Sequence, residues 1–142
     1  MARREVPKVA AIDLGKARVG LAVTDELGLM AHTRPALDGR NKKALLASLA
    51  DLAREEGIAR FVVGLPLEMT GVEGPAAHRA REMAAALADA SGVPVELWDE
   101  RLTTVEASRR LRAGGMRSRE QKGRIDGAAA AVMLEAWLAA QR

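Results

Sequence analysis

The stretch VAAIDLGKARVGLAVTD, residues 9–25, decides how the rest of the chain folds. Its first residues, Val9, Ala10, Ala11 and Ile12, form an unbroken apolar run of the kind found in a central strand, and Gly15 ends it. Beyond the turn, Val19, Leu21 and Val23 alternate with small residues, which predicts a second strand beside the first. Asp25 and Gly28 supply turn chemistry and residues 29–33 can form a third strand, so the three make an antiparallel meander. Asp13 is a carboxylate at the end of the most apolar of these strands, and it raises the question of function.

Outward from the meander the pattern changes to helices alternating with strands. Residues 42–56 place Leu45, Leu49, Leu52 and Ala53 on one helical face, and Gly57 stops the helix. Residues 60–65, RFVVGL, are a continuous apolar run bounded by Pro66, as in a parallel strand covered on both faces. Pro75 opens a second helix, in which Ala80, Met83, Ala84 and Leu87 recur at helical spacing until Ser91 and Gly92. A fifth strand spans residues 93–98. Thr103 and Glu106 then have the spacing of a capping box for a third helix, closed by Gly114 and Gly115. A last helix, over about residues 124–140, would bury Ile125, Ala129, Val132, Ala136 and Trp137. The order βββαβαβαα describes one α/β domain over residues 1–142, a mixed sheet flanked by helices.

Composition narrows the function classes. A chain of 142 residues that is 49% apolar can bury a core without staples. It has no cysteine, which excludes disulfides and thiolate metal sites and favours a reducing, cytoplasmic setting. Two histidines leave a His-based zinc site little to work with; His32 and His78 are read as ordinary surface or partly buried residues. The apolar run at residues 9–14 is too short to span a membrane, so no membrane partner is expected. The formal charge of +3 is unevenly spread: residues 109–124 hold seven cations and one acid, a net of +6, leaving the remainder at −3. Such a basic segment fits a phosphate-backbone partner, although a solvated arginine-rich surface has the same composition. Within it GGMRSREQKGR, residues 114–124, lacks an apolar stripe and reads as a mobile loop.

Three acids interrupt apolar surroundings. Asp13 ends the first strand, Glu100 with Asp99 beside it ends the fifth, and Asp126 lies in the first turn of the last helix, about 60° around its axis from Ala129. If the first and fifth strands are close and parallel, their ends open on the same side, and the last helix can bring Asp126 over them. Facing carboxylates repel unless a cation holds them, and hard oxygen donors without His or Cys suit Mg²⁺ or Mn²⁺. Two such ions roughly 3.5–4 Å apart can drive in-line phosphodiester hydrolysis without a histidine. Singly, each acid also has an ordinary reading: a turn at Asp13, an ion pair with Arg101 at Glu100, a helix-dipole partner at Asp126. Alternation along a strand does not choose between Asp99 and Glu100.

Four segments together carry a family resemblance: DLGKARVG (residues 13–20), VVGLPLEMTGVEG (62–74), DERLTTVEA (99–107) and KGRIDGAAAAVML (122–134). The chain resembles the YqgF/RuvX family, small RNase H-like proteins related to RuvC Holliday junction resolvases and described as pre-16S rRNA nucleases, over nearly its full length. The resemblance implies an RNase H-like sheet of order 3-2-1-4-5, with Asp13, Glu100 and Asp126 as catalytic, metal-binding acids. It implies an endonuclease acting on structured RNA in rRNA maturation and ribosome biogenesis, with branched DNA as the alternative substrate. Ala17 departs from relatives that carry lysine there, and Lys16 supplies a charge from the adjacent position. Substrate phosphates are assigned to Lys16, Arg18, Arg101, Arg117, Arg119, Lys122 and Arg124.

Two other function classes compete. The same DLGKARVGLAVTD stretch resembles the first phosphate loop of actin-like ATPases, but those use two related domains and this chain has room for one. A non-catalytic nucleic-acid-binding regulator is the third reading, against which the three acids argue. Phe61, Trp98 and Trp137 are assigned to the core, so recognition leans on backbone and shape rather than on base stacking. Residues 68–74 form a polar loop on the side of the site, and the sequence leaves the oligomeric state open.

Overall fold

The computed structural model describes residues 7–102 and 119–141, with side chains over 7–102 and 127–141. The strands are β1 (Lys8–Leu14), β2 (Arg18–Thr24), β3 (Ala31–Asp38), β4 (Ile58–Leu65) and β5 (Val95–Asp99). Helix α1 spans Lys42–Glu56, α2 spans Pro75–Ser91, a 3₁₀ turn covers Glu100–Leu102 and α3 spans Arg119–Ala140. The five strands form one sheet of order β3-β2-β1-β4-β5. β1 pairs antiparallel with β2 and parallel with β4, which pairs parallel with β5.

Local chemistry sets the helix limits. Asn41 caps α1 by accepting from the Ala44 N–H at 3.0 Å, and Gly57 ends it in the left-handed conformation at φ 68°. Leu45, Leu49 and Ala53 are its buried face, and Leu52 packs partly against the same core. Pro75 starts α2, whose buried residues Ala77, Ala80, Met83, Ala84 and Leu87 include all four expected from the spacing.

Several boundaries differ from the sequence reading. β3 runs Ala31–Asp38, not 29–33, because Leu29 and Met30 close the preceding turn: Asp25 Oδ1 accepts from Leu29 N–H and the Met30 carbonyl from Asp25 N–H. Pro35 lies in β3 where its pairing with β2 shifts register. β5 begins at Val95, after Pro94 gives its carbonyl to the Phe61 N–H at 3.0 Å. α3 begins at Arg119, so residues 119–124 are helical and not loop; Arg, Glu, Gln and Lys are strong helix formers even without an apolar stripe. Asp126 therefore lies beyond the first turn. The buried face of α3 is Ala129, Ala130, Met133, Leu134 and Trp137, in which 130, 133, 134 and 137 follow the i, i+3, i+4, i+7 spacing; Val132 and Ala136 are only half-buried. The helix expected after Thr103, with its capping box, lies outside the described residues, as do Gly114 and Gly115.

The sheet separates two apolar clusters. Ile12, Val19, Leu21, Phe61 and Val63 meet α1 and α2 on one face. Val9, Ala11, Ala22 and Val62 meet α3 on the other. Among the described residues no helix is long and apolar enough to cross a membrane.

Candidate active site

Strand parity sorts the acids. On β1, Val9 and Ala11 belong to the α3 side and Ala10 and Ile12 to the opposite side, so Asp13 falls on the α3 side, where it is 4% exposed. On β5, Val95 and Leu97 pack with the α1–α2 cluster and Trp98 with the α3 cluster. Glu96 accepts a hydrogen bond from Trp137 Nε1 of α3 at 2.7 Å. Glu96 and Trp98 therefore share the face of Asp13, and Glu100, in the 3₁₀ turn that follows Asp99, reaches the same face beside Met133 of α3. The ambiguity between Asp99 and Glu100 is resolved by knowing which face α3 covers.

Gly64 provides the space for Glu100. A Cβ at Gly64 would lie 3.1 Å from Glu100 Oε1, 3.2 Å from Glu100 Cδ and 3.1 Å from Met133 Sδ. The Glu100 carboxylate thus lies over β4, on the strand between β5 and β1, beneath α3. Parallel pairing of Ile12 with Val63 puts Asp13 beside Gly64 one step further along. A glycine inside an apolar strand signals such a close approach. The sequence contained that signal at Gly64, and reading residues 60–65 as a continuous apolar run left it unused.

Asp99 has a different task. Its carboxylate accepts from Arg101 Nε at 3.1 Å, Nη2 at 2.8 Å and the backbone N–H at 2.9 Å. The Arg101 side-chain hydrogen bonds hold the Asp99 carboxyl below its usual range. Arg101 is therefore tied to Asp99. It also flanks the β4–α2 loop, where Gly71, at φ 87°, leaves a Cβ position 3.5 Å from Arg101 Nη1. That loop is a tight hairpin, with Leu67 bridged to Glu73 and Glu68 N–H given to the Val72 carbonyl at 3.0 Å.

Of the other predicted contacts, Lys16 is exposed in the β1–β2 turn and Arg18 is half-buried at the start of β2. Arg119, Lys122, Arg124 and Asp126 lie on the α3 backbone, and their side chains are outside the described set, as is all of Arg117. Gly127, next to Asp126, sits against β3, where its Cβ position is 3.4 Å from Thr33 Cβ. α3 passes from there over Gly64 to Glu96, so it crosses the face holding Asp13 and Glu100. His32 and His78 are exposed, and Phe61 and Trp137 are buried as expected. Trp98 is half-buried, with its Nε1 enclosed and lacking a hydrogen-bond partner among the described residues.

No group of three His, Cys, Asp or Glu side chains able to hold a metal occurs among the described residues. Asp13 and Glu100 still provide a donor set that fits a hard divalent cation: two carboxylates from the ends of β1 and β5, on one face, with β4 between them cut back to glycine.

Comparison with known proteins extends this picture. The sequence profile of RuvX, described as Holliday junction resolvase, matches residues 7–140. A protein of Anaeromyxobacter dehalogenans named "Putative pre-16S rRNA nuclease" is 50% identical over 89% of this chain and 93% of its own. One of the same name from Myxococcus xanthus is 44% identical over 92% and 87%. Among solved structures, Thermus thermophilus RuvC in complex with a Holliday junction substrate superposes with a TM-score of 0.61 at 17% identity, covering 96% of both chains. The yeast mitochondrial Holliday junction resolvase Ydc2 gives 0.50 at 14%, over 94% of this chain and 79% of its own. With the strand order, these likenesses define the fold as RNase H-like.

Proposed function

Since the chain belongs to the RuvX family, we propose that it is a divalent-metal-dependent endonuclease that hydrolyses phosphodiester bonds in structured RNA, acting in the cytoplasm on the 5′ end of pre-16S rRNA. The observation that carries this reading is the Glu100 carboxylate lying over Gly64 on the sheet face that also buries Asp13. The names of the relatives support RNA as the substrate.

Asp13, Glu100 and Asp126 are the residues that would hold the metal. Mg²⁺ or Mn²⁺, when bound, offsets the repulsion among the acids and polarises the phosphodiester group for attack by water. The chain supplies position. Asp13 is fixed by a buried central strand, while Glu100 is held by its 3₁₀ turn and by the notch at Gly64. Lys16, Arg18 and Arg101 attract the phosphates that flank the cut, with Arg101 restrained by Asp99. Arg117, Arg119, Lys122 and Arg124 are assigned to the phosphate backbone, without reading bases.

The test is a cleavage assay on precursor rRNA, single-stranded RNA and four-way DNA junctions, each with Mg²⁺, Mn²⁺, Ca²⁺ or chelator. Precursor rRNA should be cut with Mg²⁺ or Mn²⁺ and spared with chelator. Asp13→Asn and Glu100→Gln should each lower the rate by more than about 100-fold, the scale for losing one transition-state-stabilising group. Wild-type rates from either folded variant would remove the proposed site. Branched DNA is the second reading, favoured by the family's description, and preferential cutting of the junctions would establish it. Binding without cleavage under every ion would support the regulatory alternative.

A further inference from the structure

On the sheet face away from α3, a cavity of about 260 Å³ opens at the end of β1. Leu14 lines it, the residue after Asp13, so the cavity and the carboxylate site flank the same strand end from opposite faces. Its cations come from three separate elements: Lys16 from the β1–β2 turn, Lys42 from the first turn of α1 and Arg79 from α2. Glu82 is the one acid in the lining. None of the three cations takes part in an ion pair among the described residues. The first turn of α1 contains no acid, so its partial positive charge adds to theirs.

The remaining lining is apolar, with Leu45 and Met83 buried beneath the opening. A bare phosphate would satisfy the cations and leave that floor uncovered. A volume equal to about nine waters, at ~30 Å³ each, suits one small molecule with an anionic end and a flat, weakly polar body. We propose that this cavity is a nucleotide subsite, holding one phosphate among Lys16, Lys42 and Arg79 and the attached sugar and base against Leu14, Leu45 and Met83. The subsite deepens the nuclease reading and rests on it for the source of the nucleotide, which is a unit of the strand being cut. A strand passing over the end of β1 meets the acids on one side and this cavity on the other. A free nucleotide has the same chemistry, and the experiment separates the two sources.

The measurement is isothermal titration calorimetry of the full chain in EDTA, so that no metal bridges phosphate to the acids. The probes are the four nucleoside 5′-monophosphates, uridine, inorganic phosphate and a 5′-phosphorylated six-residue oligoribonucleotide. Cleavage of precursor rRNA in Mg²⁺, Mn²⁺ and Ca²⁺ is followed in parallel. Binding of a monophosphate at least tenfold tighter than uridine or phosphate, weakened at least tenfold by Lys42→Glu with Arg79→Glu and retained in Lys42→Arg, establishes the subsite with free nucleotide as a ligand. Binding of the oligomer alone, with the same dependence on the two cations, establishes it with the strand as source. Inorganic phosphate binding as tightly as the nucleotides overturns the proposal, as does absence of binding or indifference to charge reversal in a variant that circular dichroism shows folded. Cation-dependent binding in EDTA without cleavage under any divalent ion keeps the subsite and removes the nuclease reading. Cleavage with no cation-dependent binding does the reverse.

Discussion

The two faces of the sheet are built from residues of different size, and the difference divides stability from chemistry. Toward α1 and α2 the sheet presents Ile12, Leu21, Phe61 and Val63, which interlock with Leu45, Leu49, Met83 and Leu87. Toward α3 it presents Val9, Ala11, Ala22 and Val62, met by Ala129, Ala130, Met133, Leu134 and Trp137. Bulky side chains bury more area and hold the layers together. Small ones let a helix approach the backbone, and at Gly64 the approach leaves room for a carboxylate. Thus the first face supplies most of the cohesion and the second carries Asp13 and Glu100, the acids of the proposed site.

Substitutions on opposite faces should separate the two contributions. Leu49→Ala, at a fully buried position of α1, should cost about 2–5 kcal/mol in urea unfolding. Cleavage by the fraction that stays folded should remain near wild type. Equal damage to stability and to rate per folded molecule would mean that the faces do not divide the work. Gly64→Ala should do the opposite. The new methyl group presses on the Glu100 carboxylate and on Met133, so cleavage should fall about tenfold, or ~1.4 kcal/mol, with a smaller change in the unfolding midpoint. A wild-type rate would show that the close approach at Gly64 does not position Glu100.

Trp137→Phe keeps most of the ring and removes the donor to Glu96, so it should cost about 1 kcal/mol of stability and leave the rate per folded molecule unchanged. A fall in that rate would show that the crossing of α3 over β5 positions the site as well. The smallest effect belongs to Glu56, which accepts two hydrogen bonds from Arg34 at 2.6 and 2.9 Å and joins β3 to the end of α1. These bonds hold the Glu56 carboxyl below its ordinary value of 4.5. A depressed carboxyl stabilises the fold above its unfolded value and loses that contribution as pH falls through the native one. Glu56→Gln should therefore be less stable than wild type at pH 7 by about 0.2–1 kcal/mol. The two unfolding curves should converge as the pH drops below about 4.5 toward the lowered native value. A gap that persists in acid would reflect packing rather than charge.

What could be read from sequence depended on whether the signal was local. The limits of α1 and α2 were legible because Gly57, Pro75 and Gly92 are local punctuation. The strand order came from family resemblance, since apolar runs do not say which strands pair. The start of α3 was misplaced because its first residues have high helix propensity without an apolar stripe. Asp13 and Glu100 stood out as charged ends to apolar runs, but choosing Glu100 over Asp99 required the position of α3, a tertiary fact. The cavity beside β1 was out of reach for the same reason: Lys16, Lys42 and Arg79 belong to three distant stretches, and each alone is an ordinary surface cation.

Pro35 bears on how this protein meets other copies of itself. β3 is one border of the sheet, and the register shift in its pairing with β2 coincides with the proline. A proline offers no N–H, and an irregular border is a poor template for an incoming strand. The opposite border, β5, is only five residues long. Growth of the sheet from molecule to molecule, the route to ordered aggregates, is therefore discouraged at both margins. The proline gives that protection through the missing donor alone, with no added charge on the border strand.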